Sequence, residues 1–391
     1  MPGADRADVA VVGAGVVGSA IAWELARTGR RVRLIDAAPG SGATWAAGGM
    51  LGVAGEHRQG EEEALALAQA AATVYPDFLA SLPGADGVGY ETVPTLLAGV
   101  DGADRAGLAD LAAVHIANGL GVRRLSLREI RRVEPLIGPA VTSAYLVDSD
   151  HRVDPRALGR VLVAALRSLQ ASAPLASAAE EIGAASTDGR HLRLADGRTV
   201  VASEVIVATG AHAAELAGLR EHLDGLIRPV YGDILRAKVP ASLRPLLTTT
   251  VRASVEGRPV YLIPRQDDTV VIGATEREHG DCDVSMGGVH GLLRDAREVV
   301  PALDELTLME TTARARPGTP DNLPLVGRIA PGLSVATGTY RSGVLLAPLI
   351  ARLCARLVDG DVLDDWPQLR PDRFTTAPRI GAGAPPMEEE K

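Results

Sequence analysis

Residues 9–12 (VAVV) form a short β-prone run, residues 16–28 carry apolar side chains at helical spacing, and residues 32–35 are apolar again and stop at Asp36. This pattern predicts strand, turn, helix and strand in fewer than 30 residues. Three glutamates open residues 61–82, whose Ala/Leu spacing stays helical until Pro83. Helical spacing also marks 104–119 and 154–172, the second opened by the start signal Asp154-Pro155. Residues 192–210 read as a hairpin turning at Asp196-Gly197, with a buried strand at 205–207 and a turn at Ala208-Thr209-Gly210.

From about residue 226 to 308 the pattern changes. Short alternating runs, such as 260–263 and 269–272, are joined by Pro, Gly and Asp turns, which predicts an antiparallel sheet. After Leu323 the strand, glycine and helix order returns, with a strand at 333–336 and a helix at 344–358. No internal repeat is present. The expected class is α/β (α+β), a Rossmann-like nucleotide-binding domain with a discontinuous antiparallel-sheet substrate domain. The first is assigned residues 1–85, 145–225 and 315–376, the second 86–144 and 226–314, and 377–391 is expected to be a disordered tail because it holds too little apolar content to fold.

The composition narrows the function classes. A chain of 391 residues, 46% hydrophobic, has length for about two or three domains and can bury a large core without disulfide or metal staples. Forty Lys and Arg against 49 Asp and Glu give a net charge of −9, and no stretch forms a basic face, so nucleic acid is not an expected partner. Cys282 and Cys354 form neither a CxxC pair nor a disulfide framework, which fits a reducing cytoplasm. The longest uncharged apolar run, residues 9–23, contains three glycines and falls short of the ~20 residues a membrane-spanning helix needs. Asp5, Arg6 and Asp8 lack the order of a signal peptide. His279 and Cys282 have a suggestive spacing but lack two further metal ligands, and no GxSxG elbow supports a hydrolase.

Gly13-Ala14-Gly15-Val16-Val17-Gly18 matches GxGxxG between a predicted strand and helix, with Asp36 ending the next strand. Gly13 permits the tight turn, Gly15 lets the backbone approach a pyrophosphate, Gly18 allows helix and strand to pack closely, and Asp36 can accept from a ribose hydroxyl. The pyrophosphate would rest on the helix N-terminus, where free N–H groups and the dipole favour negative charge. The motif alone does not separate NAD from FAD. Two later features favour FAD. Residues 41–51 (SGATWAAGGML) supply small groups along which a long cofactor can lie. Residues 336–344 (ATGTYRSGV) form a glycine-rich turn before an apolar helix whose N-terminus can stabilise the negative charge of a reduced flavin ring.

The series VAVVGAGVVGSAIAWELA, AAGGMLG, VYLIPR, VIGAT, RARPGTPDNLPLVG and GTYRSGVLLAP resembles the D-amino-acid oxidase and sarcosine oxidase flavoprotein family, and within it the glycine oxidases of thiamine biosynthesis. The similarity runs from about Val9 to Asp365. It implies noncovalent FAD, a small amino-acid substrate, molecular oxygen as acceptor, and oxidative deamination of glycine to an imine or glyoxylate with hydrogen peroxide. It also implies a homo-oligomer and a thiazole-synthesis enzyme that receives the imine. For cofactor contacts it points to Ala37, Thr44, Ala46, Ala47, Gly48, Gly49, Met50 and the Ala208-Thr209-Gly210 turn beside the fingerprint, and to Arg316, Thr339, Tyr340, Arg341, Ser342, Gly343 and Val344 at the far end.

For the reaction, the resemblance makes Arg316 the grip on the substrate carboxylate. A guanidinium presents a bidentate fork that would fix the α-carbon. Arg314 would share its strand face, and the residues alone do not choose between them. Tyr261 matches the tyrosine whose hydroxyl also meets the carboxylate, or else it is a half-buried strand aromatic. Met50 and Arg341 match pocket-lining positions; core packing and flavin contact are their respective alternatives. Glu276 departs from the pattern, since an apolar residue is expected after VIGAT. Its carboxylate could repel the substrate, pair with Arg316 or Arg341, bind the amine of another substrate, or face solvent. The rival readings are a sarcosine or D-amino-acid oxidase or dehydrogenase of the same family, a nicotinamide dehydrogenase, and a flavin-binding protein without turnover.

Overall fold

The computed structural model describes residues 5–170 and 174–374, so the tail expected at 377–391 lies outside the described residues. Among these, the chain builds two large sheets. The strands Leu333–Thr337, Thr199–Val207, Asp5–Val12 and Val32–Ile35 lie side by side in parallel. Leu325–Ala330 pairs antiparallel on one edge, and Gly189–Leu194 with Ala179–Ser186 adds an antiparallel hairpin layer beside Thr199–Val207. Parallel strands require cover on both faces, and Asp5–Val12 is apolar throughout its second half for that reason. Val9 and Val11 pack on one side against the helices Val16–Arg27 and Gly343–Val358, while Ala10 and Val12 face the hairpin side. Both helices are buried around most of their circumference, as befits elements enclosed between layers.

The predicted helices appear with shifted ends. The pattern at 61–82 forms Glu62–Ala80, that at 154–172 forms Pro155–Gln170, and that at 104–119 forms Gly102–Ala117, started by a capping box between Asp101 and Asp104. The hairpin turn at Asp196-Gly197 is present, with Gly197 at φ 83°.

The second sheet has eight strands in the order Thr307–Gly318, Arg228–Lys238, Thr269–Gly273, Arg258–Pro264, Thr250–Val255, Thr95–Gly99, Ser143–Val147 and Val122–Leu125. It is not antiparallel throughout, because Thr250–Val255 pairs with Thr95–Gly99 in parallel. Those two strands are joined by a long excursion through other elements, so no tight turn dictates their relative direction. Ser143–Val147 and Thr307–Gly318 run across the expected partition points at 145 and 315. Alternation gives the sheet two uses. Leu262 and Ile272 join the core beneath the helix Met286–Val299, whereas Tyr261, Ile263 and Val271 turn to the opposite face, next to Ala46 and Met50.

Beside this sheet, His57 Nδ1 and His115 Nε2 meet at 3.1 Å, both rings buried. Burial first, and the neighbouring His57 second, push His115 down from 6.5 to about 4. The folded chain therefore keeps His115 neutral where the unfolded chain protonates it. Stability is fully present above pH 6.5 and drains away as the pH falls towards 4, by up to ~3 kcal/mol from this group. Urea unfolding across that window should show a shallower pH dependence in His115→Leu than in the parent, and equal slopes would place the acid sensitivity elsewhere.

Candidate active site

A cleft of about 1400 Å³ opens at the C-terminal ends of the parallel strands and continues along the face of the eight-stranded sheet that carries Tyr261. Ligands of open α/β sheets bind at such strand ends. At this end Gly13 turns with φ 102°, and a Cβ on it would lie 2.5 Å from the Ala208 carbonyl oxygen. A Cβ on Gly18 would collide with the Gly13 carbonyl. Only glycines let turn, helix and neighbouring strand come this close. Gly15 caps the helix without a side chain, while the Val16 N–H donates to Thr44 Oγ1 at 2.9 Å. Asp36 accepts from the backbone N–H groups of Ala14 at 2.6 Å and Ala38 at 2.7 Å. Gly13, Gly15, Val16, Val17, Asp36, Ala37, Ala208, Thr209 and Gly210 line the cleft; Ala14 and Gly18 shape the turn behind it.

Further in, Thr44, Ala46, Ala47, Gly48, Gly49 and Met50 follow the cleft wall. Their path is pinned from behind by Arg265, which donates to the carbonyls of Gly48 and Val153, and by the Val153 N–H, which donates to Gly49 O at 2.9 Å. Burial pushes Arg265 down to about 10. On the opposite wall stand Thr339, Tyr340, Arg341, Gly343 and Val344, with Tyr340 in the left-handed region at φ 45°. Ser342 caps the helix Gly343–Val358 without a side-chain bond and lies behind the wall.

These residues fit a long dinucleotide. Two helices begin at the cleft without side-chain caps, so backbone donors remain for anionic groups, and the Thr209 hydroxyl is buried without a partner. The first helix would hold phosphates, Asp36 a ribose, and the last helix the flavin ring.

Around the remaining space lie the candidate substrate residues. Arg316 donates to the Thr275 carbonyl at 3.1 Å, and among the described residues no carboxylate pairs with it. A Cβ on Gly232 would collide with its guanidinium, so the small residue on the adjacent strand gives Arg316 its room. Arg314 also reaches the cleft but is spent on the carbonyls of Ser41 at 2.8 Å and Ala313 at 2.7 Å. Tyr261 packs its ring on Gly48 and Gly273, and burial raises its hydroxyl pKa against the opposing charge of Arg316. Met50 does two things at once, lining the cleft and packing with Ile234 and Ile263.

Arg341 is held by Glu61 at 2.6 Å and Glu56 at 3.6 Å and lies over the Tyr340 ring at 4.8 Å. Glu276 pairs with neither Arg316 nor Arg341. It binds Arg58 at 3.0 Å and accepts from the Tyr340 hydroxyl. Burial pushes its carboxyl up, but the Tyr340 hydroxyl and Arg58 outweigh burial and hold it below its usual value. Sequence reasoning missed Arg58, Glu56, Gly232 and Arg252, the last paired with Glu56. They sit in loops and strands without a local motif, and only the unexplained Glu276 signalled that a cationic partner was needed.

The chain belongs to the family described as DAO, FAD dependent oxidoreductase, which matches residues 8–357. It is thus an FAD-dependent oxidoreductase. It is 34% identical over 363 residues to a glycine oxidase of Geobacillus kaustophilus, covering 90% of this chain and 93% of that protein. The crystal structure of glycine oxidase from that organism superimposes with a TM-score of 0.85 at 31% identity, over 94% of this chain and 99% of the other. A bifunctional ThiO/ThiG protein of Trichormus variabilis is 30% identical over 359 residues, and this chain spans 52% of its length.

Proposed function

We propose that this protein is a glycine oxidase: it binds FAD noncovalently and oxidises glycine to the imine, which is passed to thiazole synthesis or hydrolysed to glyoxylate and ammonia. The observation that carries this reading is Arg316, a guanidinium in the cleft with no carboxylate partner and a single bond to the Thr275 carbonyl, whereas Arg58, Arg252 and Arg341 are paired with carboxylates and Arg314 is spent on the carbonyls of Ser41 and Ala313. Bound FAD supplies the hydride acceptor and the route of electrons to oxygen, which leaves as hydrogen peroxide. The chain's own residues do the rest. Arg316 grips the glycine carboxylate through two parallel N–H donors, and the Tyr261 hydroxyl adds a third, which fixes the α-carbon in the plane between the cleft walls. Met50 and the aliphatic residues beside it exclude water from that space. Because the α-hydrogen leaves as hydride, no side chain has to take it as a proton; the amine enters neutral so that its lone pair can form the C=N bond.

The fusion relative in which an oxidase is joined to ThiG supports a thiazole-forming partner for the imine. We also propose a cytoplasmic homo-oligomer; among the described residues no helix is long and apolar enough to cross a membrane. The seven-stranded sheet with its helices is proposed as the cofactor domain and the eight-stranded sheet as the substrate domain.

Peroxide release compared among glycine, sarcosine and D-alanine tests the reading. Glycine should give the highest kcat/KM, and peroxide from sarcosine or D-alanine alone would replace glycine as the substrate. Tyr261→Phe should raise KM for glycine about tenfold with kcat nearly unchanged, the effect of one neutral donor to a carboxylate of ~1.5 kcal/mol. An unaltered KM would remove the hydroxyl from the carboxylate.

A further inference from the structure

Several of the cleft's arginines pair with carboxylates, while Arg314 is spent on the carbonyls of Ser41 and Ala313. Arg252 is matched by Glu56, Arg341 by Glu61 and Glu56, and Arg58 by Glu276, whereas Arg316 has only a carbonyl. Arg316, with one carbonyl bond and no carboxylate, suits a substrate with one carboxylate. Glu276 is the member of this set that sequence comparison with the family left unexplained, and its environment shows what it does. Arg58 Nη2 donates to Glu276 Oε2 at 3.0 Å and to Oε1 at 3.4 Å, and the Tyr340 hydroxyl donates to Oε1, so both carboxylate oxygens are engaged by groups of the protein. Arg58, Glu276 and Tyr340 come from three different segments and meet at the half-exposed mouth of the cleft. Arg316 lies near enough for its charge to help hold the Glu276 carboxyl ionised.

We infer that Arg58 is a second carboxylate grip held out of use by Glu276, and that the Arg58–Glu276 pair restricts this pocket to monocarboxylate amino acids. The inference rests on the proposed grip of Arg316 on a carboxylate. A dicarboxylate anchored at Arg316 would place its second charge towards Glu276, where like charges repel, and could reach Arg58 only by displacing a carboxylate already bonded to it. Neutralising Glu276 while leaving its shape removes the repulsion and frees the guanidinium.

The test uses ligands that the enzyme does not need to oxidise. Methoxyacetate and oxydiacetate differ by one carboxylate, and their binding to the FAD-loaded full-length protein is read from perturbation of the visible flavin spectrum. Glu276→Gln should tighten the Kd for oxydiacetate about tenfold and leave methoxyacetate within about twofold. Adding Arg58→Gln to that variant should abolish the gain. A ratio of the two Kd values that Glu276→Gln does not change, or a gain that survives loss of Arg58, overturns the inference. If neither ligand is affected by Arg316→Ala, the grip on which the inference rests is wrong instead. Lack of glycine turnover with both Kd predictions met would remove glycine as substrate and leave the second grip standing.

Discussion

Arg316→Ala is expected to lower kcat/KM for glycine by about 10³-fold while the purified protein remains yellow. The loss combines a bidentate, charge-assisted contact with the orientation it imposes, about 4 kcal/mol in all. Glycine offers little else to hold, since it has no side chain to bury. Arg316→Lys should recover part of the loss because it restores charge without the planar fork. Steady-state kinetics beside a visible spectrum separate the two quantities. Normal kinetics in Arg316→Ala would take the carboxylate away from this residue, and a colourless variant would mean that Arg316 supports the cofactor instead.

Gly18→Val should cost FAD rather than turnover. A Cβ there meets the Gly13 carbonyl, so the helix Val16–Arg27 has to move away from the turn that presents its N-terminal donors. We expect FAD affinity to fall by more than 100-fold, on the order of 3 kcal/mol, and the protein to elute from gel filtration without visible colour. Circular dichroism shows whether the fold persists. Should Gly18→Val fail to fold, Asp36→Leu removes the acceptor at the next strand end and should also weaken FAD retention. Full colour in folded Gly18→Val would separate the fingerprint from the cofactor.

The glycine turn proposed for the cofactor was legible because the fingerprint's spacing fixes its geometry. Gly13 and Gly18 meet within one turn, and Asp36 ends the next strand, where it accepts from the Ala14 N–H. The helix over 344–358 was legible because it starts where the glycine-rich turn stops. Long-range pairings were not. Nothing in the alternation at 95–99 or 250–255 states that these strands run parallel, because direction is free when no tight turn connects them. Arg314 and Arg316 share a strand face, and only the position of Ser41 and the absence of a side chain at Gly232 commit Arg314 to two backbone carbonyls and leave Arg316 with one. Glu276 drew attention by its chemistry, but its partner lies 218 residues earlier in a loop without periodicity.

The most direct measurement is the visible spectrum of the purified protein while glycine is added without oxygen. The oxidised flavin band should bleach in proportion to glycine, return when air is admitted, and yield hydrogen peroxide. A bound flavin whose band stays unchanged at saturating glycine would contradict the account.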